Sequence, residues 1–222
     1  MDSSRLSIPT VPDAEQLRDD HVCYGDFPSS ELKTIIHTAL TRDPYMRMHL
    51  LSVNKMAFIL GERARFDSRE REVFVRAALL HDVGKILIPD PIIQKPSKLT
   101  PEEYQIVKTH VELGQRLVST EPGFEDVALV VGQHHEWVNG AGYPHGLKGE
   151  EIHPLARALS VIDAFSAMTD ERPYNPGISP IEALTELEAC AGTQFDEHFV
   201  QIFVKMKRSR TERGSLLVKG VR

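Results

Sequence analysis

The residues of this chain best able to do chemistry are His49, His81, Asp82, His110, His134, His135 and Asp163. Imidazole nitrogens and carboxylate oxygens, without thiolates, form a donor set that suits Fe, Mn, Zn, Ni or Co better than Ca or Mg. The apolar neighbours of these residues recur at helical spacing. His49 shares a stripe with Tyr45, Val53, Met56 and Leu60, and His81 continues Val73, Ala77 and Leu80. His110 lies between Ile106 and Leu113, His134 follows Val127, Val130 and Val131, and Asp163 follows Leu155, Leu159 and Ile162. Such periodicity turns each polar group toward the core. A lone histidine on an apolar face is usually a hydrogen-bonded core residue. Burying a polar group without a partner, however, costs about 2–7 kcal/mol. The adjacent pairs His81–Asp82 and His134–His135 therefore need a shared partner, and convergence on metal supplies one.

One tetrahedral site cannot use this many ligands, so the expectation is two divalent ions bridged by a carboxylate. Two aspartates and a bridging hydroxide leave such a centre net positive, which favours an anionic substrate such as a phosphate ester. The ions would lower the pKa of bound water toward about 7 and supply a nucleophile without a protein base. Lys85, close to one helical turn after Asp82, is placed to hold a phosphate oxygen. His21, His37, His145, His153 and His198 lack this context and read as surface or structural residues.

The elements that must carry these ligands are helical. A first helix is expected over about 30–40, and Asp43–Pro44 begins a second that ends near Arg65. Asp67 with Glu70 forms a capping box for a third, which leads into LLHDVGK. The four prolines of IPDPIIQKPSKLTP make a long irregular connection. A fourth helix is expected from Thr100 to about Ser119 and a fifth over 124–136, followed by the loop NGAGYPHGLKGEE. Pro154 opens a sixth, reaching about Thr169. After ERPYNPGISP, Ser179–Pro180 with Glu182 caps a seventh, and the last runs from about Asp196 to Arg208. Convincing period-two strands are absent apart from a weak apolar patch, SLLVKGV. The reading is one all-α bundle of about seven to eight helices over residues 29–208. An extended lead-in of residues 1–28 precedes it, and a basic tail of residues 209–222 follows.

Hydrophobic content of 41% and charged content of 26% describe an ordinary globular chain. A net charge of −6 gives no general attraction to nucleic acid, so a DNA-coating role is disfavoured. Two distant cysteines, Cys23 and Cys190, suggest a reducing compartment without a disulfide framework. The N-terminal stretch has no signal-peptide pattern and no window has the length of a membrane span, so a cytoplasmic location is expected.

HDVGK at 81–85, His110, HHEWVNGAGYP at 134–144 and IDAFSAMTDERPY at 162–174 together resemble the HD-GYP phosphodiesterases, a helical extension of the HD-domain phosphohydrolases. The resemblance covers roughly residues 43–206. It implies hydrolysis of cyclic di-GMP, or a related cyclic dinucleotide, to pGpG or GMP through a metal-bridging hydroxide, with iron or manganese the usual ions. It assigns His49, His81, Asp82 and Asp163 to one ion and His110, His134 and His135 to the other, with Asp82 bridging. Asp82 and Lys85 become the catalytic pair, while Lys85, Arg172 and Tyr143 become substrate contacts. The Gly142–Tyr143–Pro144 loop is also implied as a surface for a protein partner. Tyr45 stands where some members carry a third-metal glutamate, which sets the expectation at two ions. Ser166, Asn175 and Asn139 depart from residues common in the family. A binding module without turnover and an HD-domain di-iron oxygenase are the alternatives.

Overall fold

A computed structural model describes residues 29–170 and 176–219, with the side chains of the final helix described as far as Ser209. Its helices are α1 (Ser30–Arg42), α2 (Pro44–Arg63), α3 (Ser68–Leu80), α4 (Asp90–Ile93), α5 (Pro101–Lys108), α6 (His110–Ser119), α7 (Glu125–Gln133), α8 (Pro154–Thr169), α9 (Pro180–Ala189) and α10 (Glu197–Lys219). Two 3₁₀ turns, Val83–Leu87 and Gly149–Glu151, join them. Among the described residues the fold is all-α, and β pairing is limited to the isolated bridges Asn139–Lys148 and Ala191–Phe195. No helix among these residues is long and apolar enough to cross a membrane.

The helix starts follow from local chemistry. The Asp43 side chain accepts from the Tyr45 amide at the start of α2. Asp67–Glu70, Thr100–Glu103 and Ser179–Glu182 form reciprocal capping boxes on α3, α5 and α9. The helices then bury one face each. Leu50, Val53 and Leu60 of α2 meet Phe74, Ala77 and Leu80 of α3, while Leu159 and Ile162 of α8 close the core beside Val130 and Val131 of α7. Helix α2 packs on α3 and α8, and α6 packs on α7 and the first 3₁₀ turn.

Three boundaries differ from the sequence expectation. The expected fourth helix is two, α5 and α6, broken at Thr109, whose amide and hydroxyl both donate to the Ile106 carbonyl. The break admits the 3₁₀ turn: a Cβ on Gly84 would collide with the His110 carbonyl oxygen and lie 2.5 Å from the Gly114 nitrogen. The proline-rich connection also contains the single turn α4, started by Asp90–Pro91. Finally, the last helix runs past Arg208 to Lys219, taking in much of the SLLVKGV patch.

Candidate metal centre

Two of the histidines sit where helices end. His81 is the C-cap of α3 and His134 the C-cap of α7. The carboxyl end of a helix carries partial negative charge, so both ends favour a cation. Beyond His81 the chain tightens into the 3₁₀ turn, which turns Asp82 inward and leaves Lys85 beside it. His49 comes from the second turn of α2, His110 from the first residue of α6, and Asp163 from α8. His49, His81, Asp82, His110 and His134 are all buried.

These side chains form two adjoining groups. In the first, His49 Nε2 lies 2.9 Å from Asp163 Oδ1 and 3.3 Å from His81 Nε2, and His81 Nε2 lies 3.4 Å from Asp163 Oδ1. In the second, the His134 and His135 ring centroids are 4.1 Å apart, and His110 lies 5.6 and 5.2 Å from them. Within each group one donor atom per residue lies within 4.8 Å of the others. Asp82 stands between the groups. Its Oδ2 is 3.6 Å from His81 Nε2 and 3.9 Å from His49 Nε2, while its Oδ1 is 3.3 Å from His110 Nε2.

Hydrogen bonds fix which ring nitrogen faces inward. The Nδ1 atoms of His81, His110 and His134 each donate to a carbonyl three residues back, that of Ala78, Val107 and Val131, at 2.9, 2.7 and 2.7 Å. Nε2 of each is therefore the nitrogen directed into the cluster. The Nε2 atoms of His110 and His134 are buried without any hydrogen-bond partner. Buried nitrogens are rarely left in that condition, and a metal ion is the partner that fits a lone pair. The residues present therefore fit a metal.

The electrostatics agree. Burial opposes the charged form of His49, but hydrogen bonds to Asp163 and Asp170 outweigh it and push its pKa up to about 9. Burial depresses His135 to about 4, and burial with the neighbouring histidines holds His134 well below the usual range, so both stay neutral and ligand-competent. Burial raises the Asp82 carboxyl, but Lys85, His81 and His110 overcome this and hold it well below the usual carboxylate range. Asp163 is held low against burial by His49 and His81. The result is two ionised carboxylates, Asp82 and Asp163, beside two neutral imidazoles, His134 and His135, with His49 holding a proton that a bound ion would displace.

The other predicted residues fall around this centre. Lys85 Nζ is 2.5 Å from Asp82 Oδ2 and lines a cleft of about 480 Å³ together with His49, Asp82, Tyr45 and Gln94. Tyr143 stacks on the His135 ring at 4.9 Å and 28°, and its phenol is pushed further up by burial. Arg172 and Asn175 lie outside the described residues.

Sequence reasoning missed four contributors. Asp170 accepts from His49 Nδ1 at 2.9 Å; the available signal was its position seven residues after Asp163, on the same face of α8. Glu136, directly after His134–His135, is buried and accepts from the His145 and Leu147 amides at 2.7 and 3.0 Å, pinning the glycine-rich loop. Lys108 places its ammonium 4.6 Å from the Tyr143 ring centroid. Arg42 of α1 donates to the carbonyls of Lys85, Ile86 and Ile88 and pairs with Asp90, bracing the turn that carries Lys85. Only the three-dimensional fold brings Lys108 and Arg42 to these places.

The profile of the HD domain family matches residues 33–199. A cyclic di-GMP phosphodiesterase of Thermotoga maritima is 35% identical over 195 residues, which span 85% of this chain and 52% of that protein. The 3'3'-cGAMP-specific phosphodiesterase 3 of Vibrio cholerae is 30% identical over 168 residues, 76% of this chain and 36% of that one. The chain thus spans about half or less of the length of these relatives. Among solved structures, the HDG"Y"P protein Bd1817 from Bdellovibrio bacteriovorus superposes with a TM-score of 0.61 at 24% identity, over 72% of this chain and 51% of that one. That likeness concerns the fold.

Proposed function

The chain belongs to the HD domain family, and from that premise we propose that it is an HD-GYP-type phosphodiesterase that hydrolyses cyclic di-GMP or a closely related cyclic dinucleotide with the help of two divalent ions. The observation that carries the reading is Asp82, whose two carboxylate oxygens face the two ligand groups separately. His49, His81 and Asp163 would hold one ion, His110, His134 and His135 the other, and Asp82 both. Bound there, the ions would supply Lewis-acid polarisation of a phosphoryl oxygen and a nucleophile derived from water at neutral pH. The donor set suits iron, manganese, zinc, nickel or cobalt, and the resemblance to HD-GYP phosphodiesterases favours iron or manganese among them.

The chain's own residues do the rest. Lys85 is the ammonium lining the cleft beside Asp82, and its part is to hold a non-bridging phosphate oxygen as charge develops there. Arg42 and Lys95 also line the cleft, Arg42 bonded to carbonyls and Asp90, and Lys95 to Glu103. Lys85 differs in that its partner is Asp82, between the two ligand groups, which places its ammonium at the proposed centre, with Arg172 as the second proposed phosphate contact. Tyr143 walls the pocket over His135 and, with its phenol kept neutral, can donate a hydrogen bond to substrate. The loop it belongs to is also the proposed docking surface for a protein partner. Relatives named for cyclic di-GMP and for 3'3'-cGAMP support a cyclic dinucleotide, and they leave the choice of bases to experiment.

The test is anaerobic loading with Mn²⁺ or Fe²⁺, incubation with cyclic di-GMP and with 3'3'-cGAMP, and chromatography of the products. Linear dinucleotide or mononucleotide from wild type, and none from Asp82→Ala, is expected. Intact substrate in both cases, with a generic phosphodiester also untouched, overturns the proposal. Tight nucleotide binding without cleavage would then identify a binding module, and oxygen consumption an oxygenase.

A further inference from the structure

We infer that Asp170 is a positioning residue for the proposed metal centre: its carboxylate fixes the His49 ring, with Ser166 holding that carboxylate in place. The assignment rests on the metal reading given above and adds a residue that no ligand pattern contains.

The argument starts from a difference among the histidines. Those at 81, 110 and 134 are oriented by neutral carbonyls of their own helical turn. His49 is oriented by a carboxylate 121 residues away, at 2.9 Å. An ionised carboxylate only accepts, so the hydrogen on that bond belongs to His49 Nδ1, and Nε2 faces Asp163 and His81. An anionic acceptor also raises the electron density at the opposite nitrogen, which makes it a stronger ligand than a carbonyl-bonded imidazole.

Asp170 is itself placed for this. It is the C-cap of α8, and its amide donates to the Ser166 carbonyl at 2.8 Å. The hydroxyl of Ser166, a residue only 1% exposed, donates to Asp170 Oδ2 at 3.1 Å and Oδ1 at 3.3 Å. Asp163, Ser166 and Asp170 follow one face of α8, so a single rigid helix presents both a ligand and the anchor of a ligand from another helix. The spacing between His49 and Asp163 is thereby tied to one element. A carboxylate oriented by a buried hydroxyl loses less freedom on accepting the imidazole than a free surface aspartate would.

The experiment titrates the full chain with Zn²⁺ against a chromophoric chelator, for wild type, Asp170→Asn, Asp170→Ala, Asp170→Glu and Ser166→Ala. It also records the ¹⁵N signature of the His49 ring in the Zn²⁺-loaded protein. Asp170→Asn is expected to weaken one of the two Zn²⁺ affinities by about 10–100-fold and to leave the other within about twofold. The glutamate should recover part of the loss, and Ser166→Ala should show a smaller loss of the same step. His49 should keep a slowly exchanging Nδ1–H in wild type and lose it in Asp170→Ala. The thermal midpoint of each protein without metal serves as the folding control. Should Asp170→Ala fail to fold, the isosteric asparagine decides the matter. Unchanged Zn²⁺ affinities in a folded Asp170→Asn overturn the assignment alone. A wild type that takes up no Zn²⁺ overturns the metal centre itself and this assignment with it.

Discussion

Asp82 is the residue on which the site turns, because its two carboxylate oxygens lie in contact range of the two ligand groups separately. Asp82→Ala is expected to abolish turnover and to cost at least one bound ion per chain, measured by elemental analysis; retained activity with two ions would contradict the bridging role. The histidines predict a pH dependence for the protein without metal. His49 is raised from 6.5 to about 9, so its contribution to stability is full below about 6.5 and is lost as pH rises through 9. His135 is depressed from 6.5 to about 4 and works in the opposite sense: its contribution is full above 6.5 and is lost as pH falls toward 4. The thermal midpoint should therefore be highest near pH 6.5 and fall on both sides, whereas a profile flat from pH 5 to 9 would contradict these environments. Metal binding should release a proton from His49 at pH values below about 9, observable as buffer-dependent heat in calorimetry. At this scale the convergence of these side chains was legible in the sequence, since helical periodicity alone aims His49, His110 and Asp163 inward. Asp170 was not, because its partner lies on another helix, and a carboxylate at a helix end has many ordinary uses.

Between the elements, two glycines set how closely the ligand-bearing segments approach. Gly84 lets the 3₁₀ turn lie against the backbone of α6, so Asp82 and His110 meet. Gly142 packs its Cα against the HHE segment, where a Cβ would collide with the Trp137 amide and lie 2.6 Å from the His135 carbonyl oxygen. Gly84→Ala is therefore expected to lower metal affinity and thermal stability together, by more than the about 1 kcal/mol scale of a neutral exchange at an open site. Equal stability of Gly84→Ala and wild type would show that the turn has room to move. Caps and prolines made most helix starts readable, as with Asp67–Glu70 and Thr100–Glu103. The break at Thr109 was not readable, because its cause is tertiary: the sequence from Thr100 to Ser119 is continuously helix-compatible, and the 3₁₀ turn packed against it supplies the reason to divide it.

The whole molecule gathers α2, α3, α6, α7, α8 and the 3₁₀ turn around one centre, so metal should act as a cross-link of the fold. Anything that binds only the folded state stabilises it by about 2.7 kcal/mol at a hundredfold excess over Kd. For a chain of this length that amounts to a rise of roughly 5–10 °C in thermal midpoint. Saturating Mn²⁺ should produce such a rise and a chelator should reverse it; a midpoint indifferent to both would separate the metal from the core. The fold class was legible because no stretch offers a convincing strand and most segments carry a helix start. The cleft was less so, since Arg42, Lys85 and Gln94 come together there only through α1, the 3₁₀ turn and α4. The measurement that tests the account most directly is the number of Mn²⁺ ions bound per chain by calorimetry, wild type against His134→Ala. Two ions falling to one, with the remaining ion lost in the double variant His49→Ala/His134→Ala, is the predicted result. No binding by wild type, or the same count in all three proteins, would contradict it.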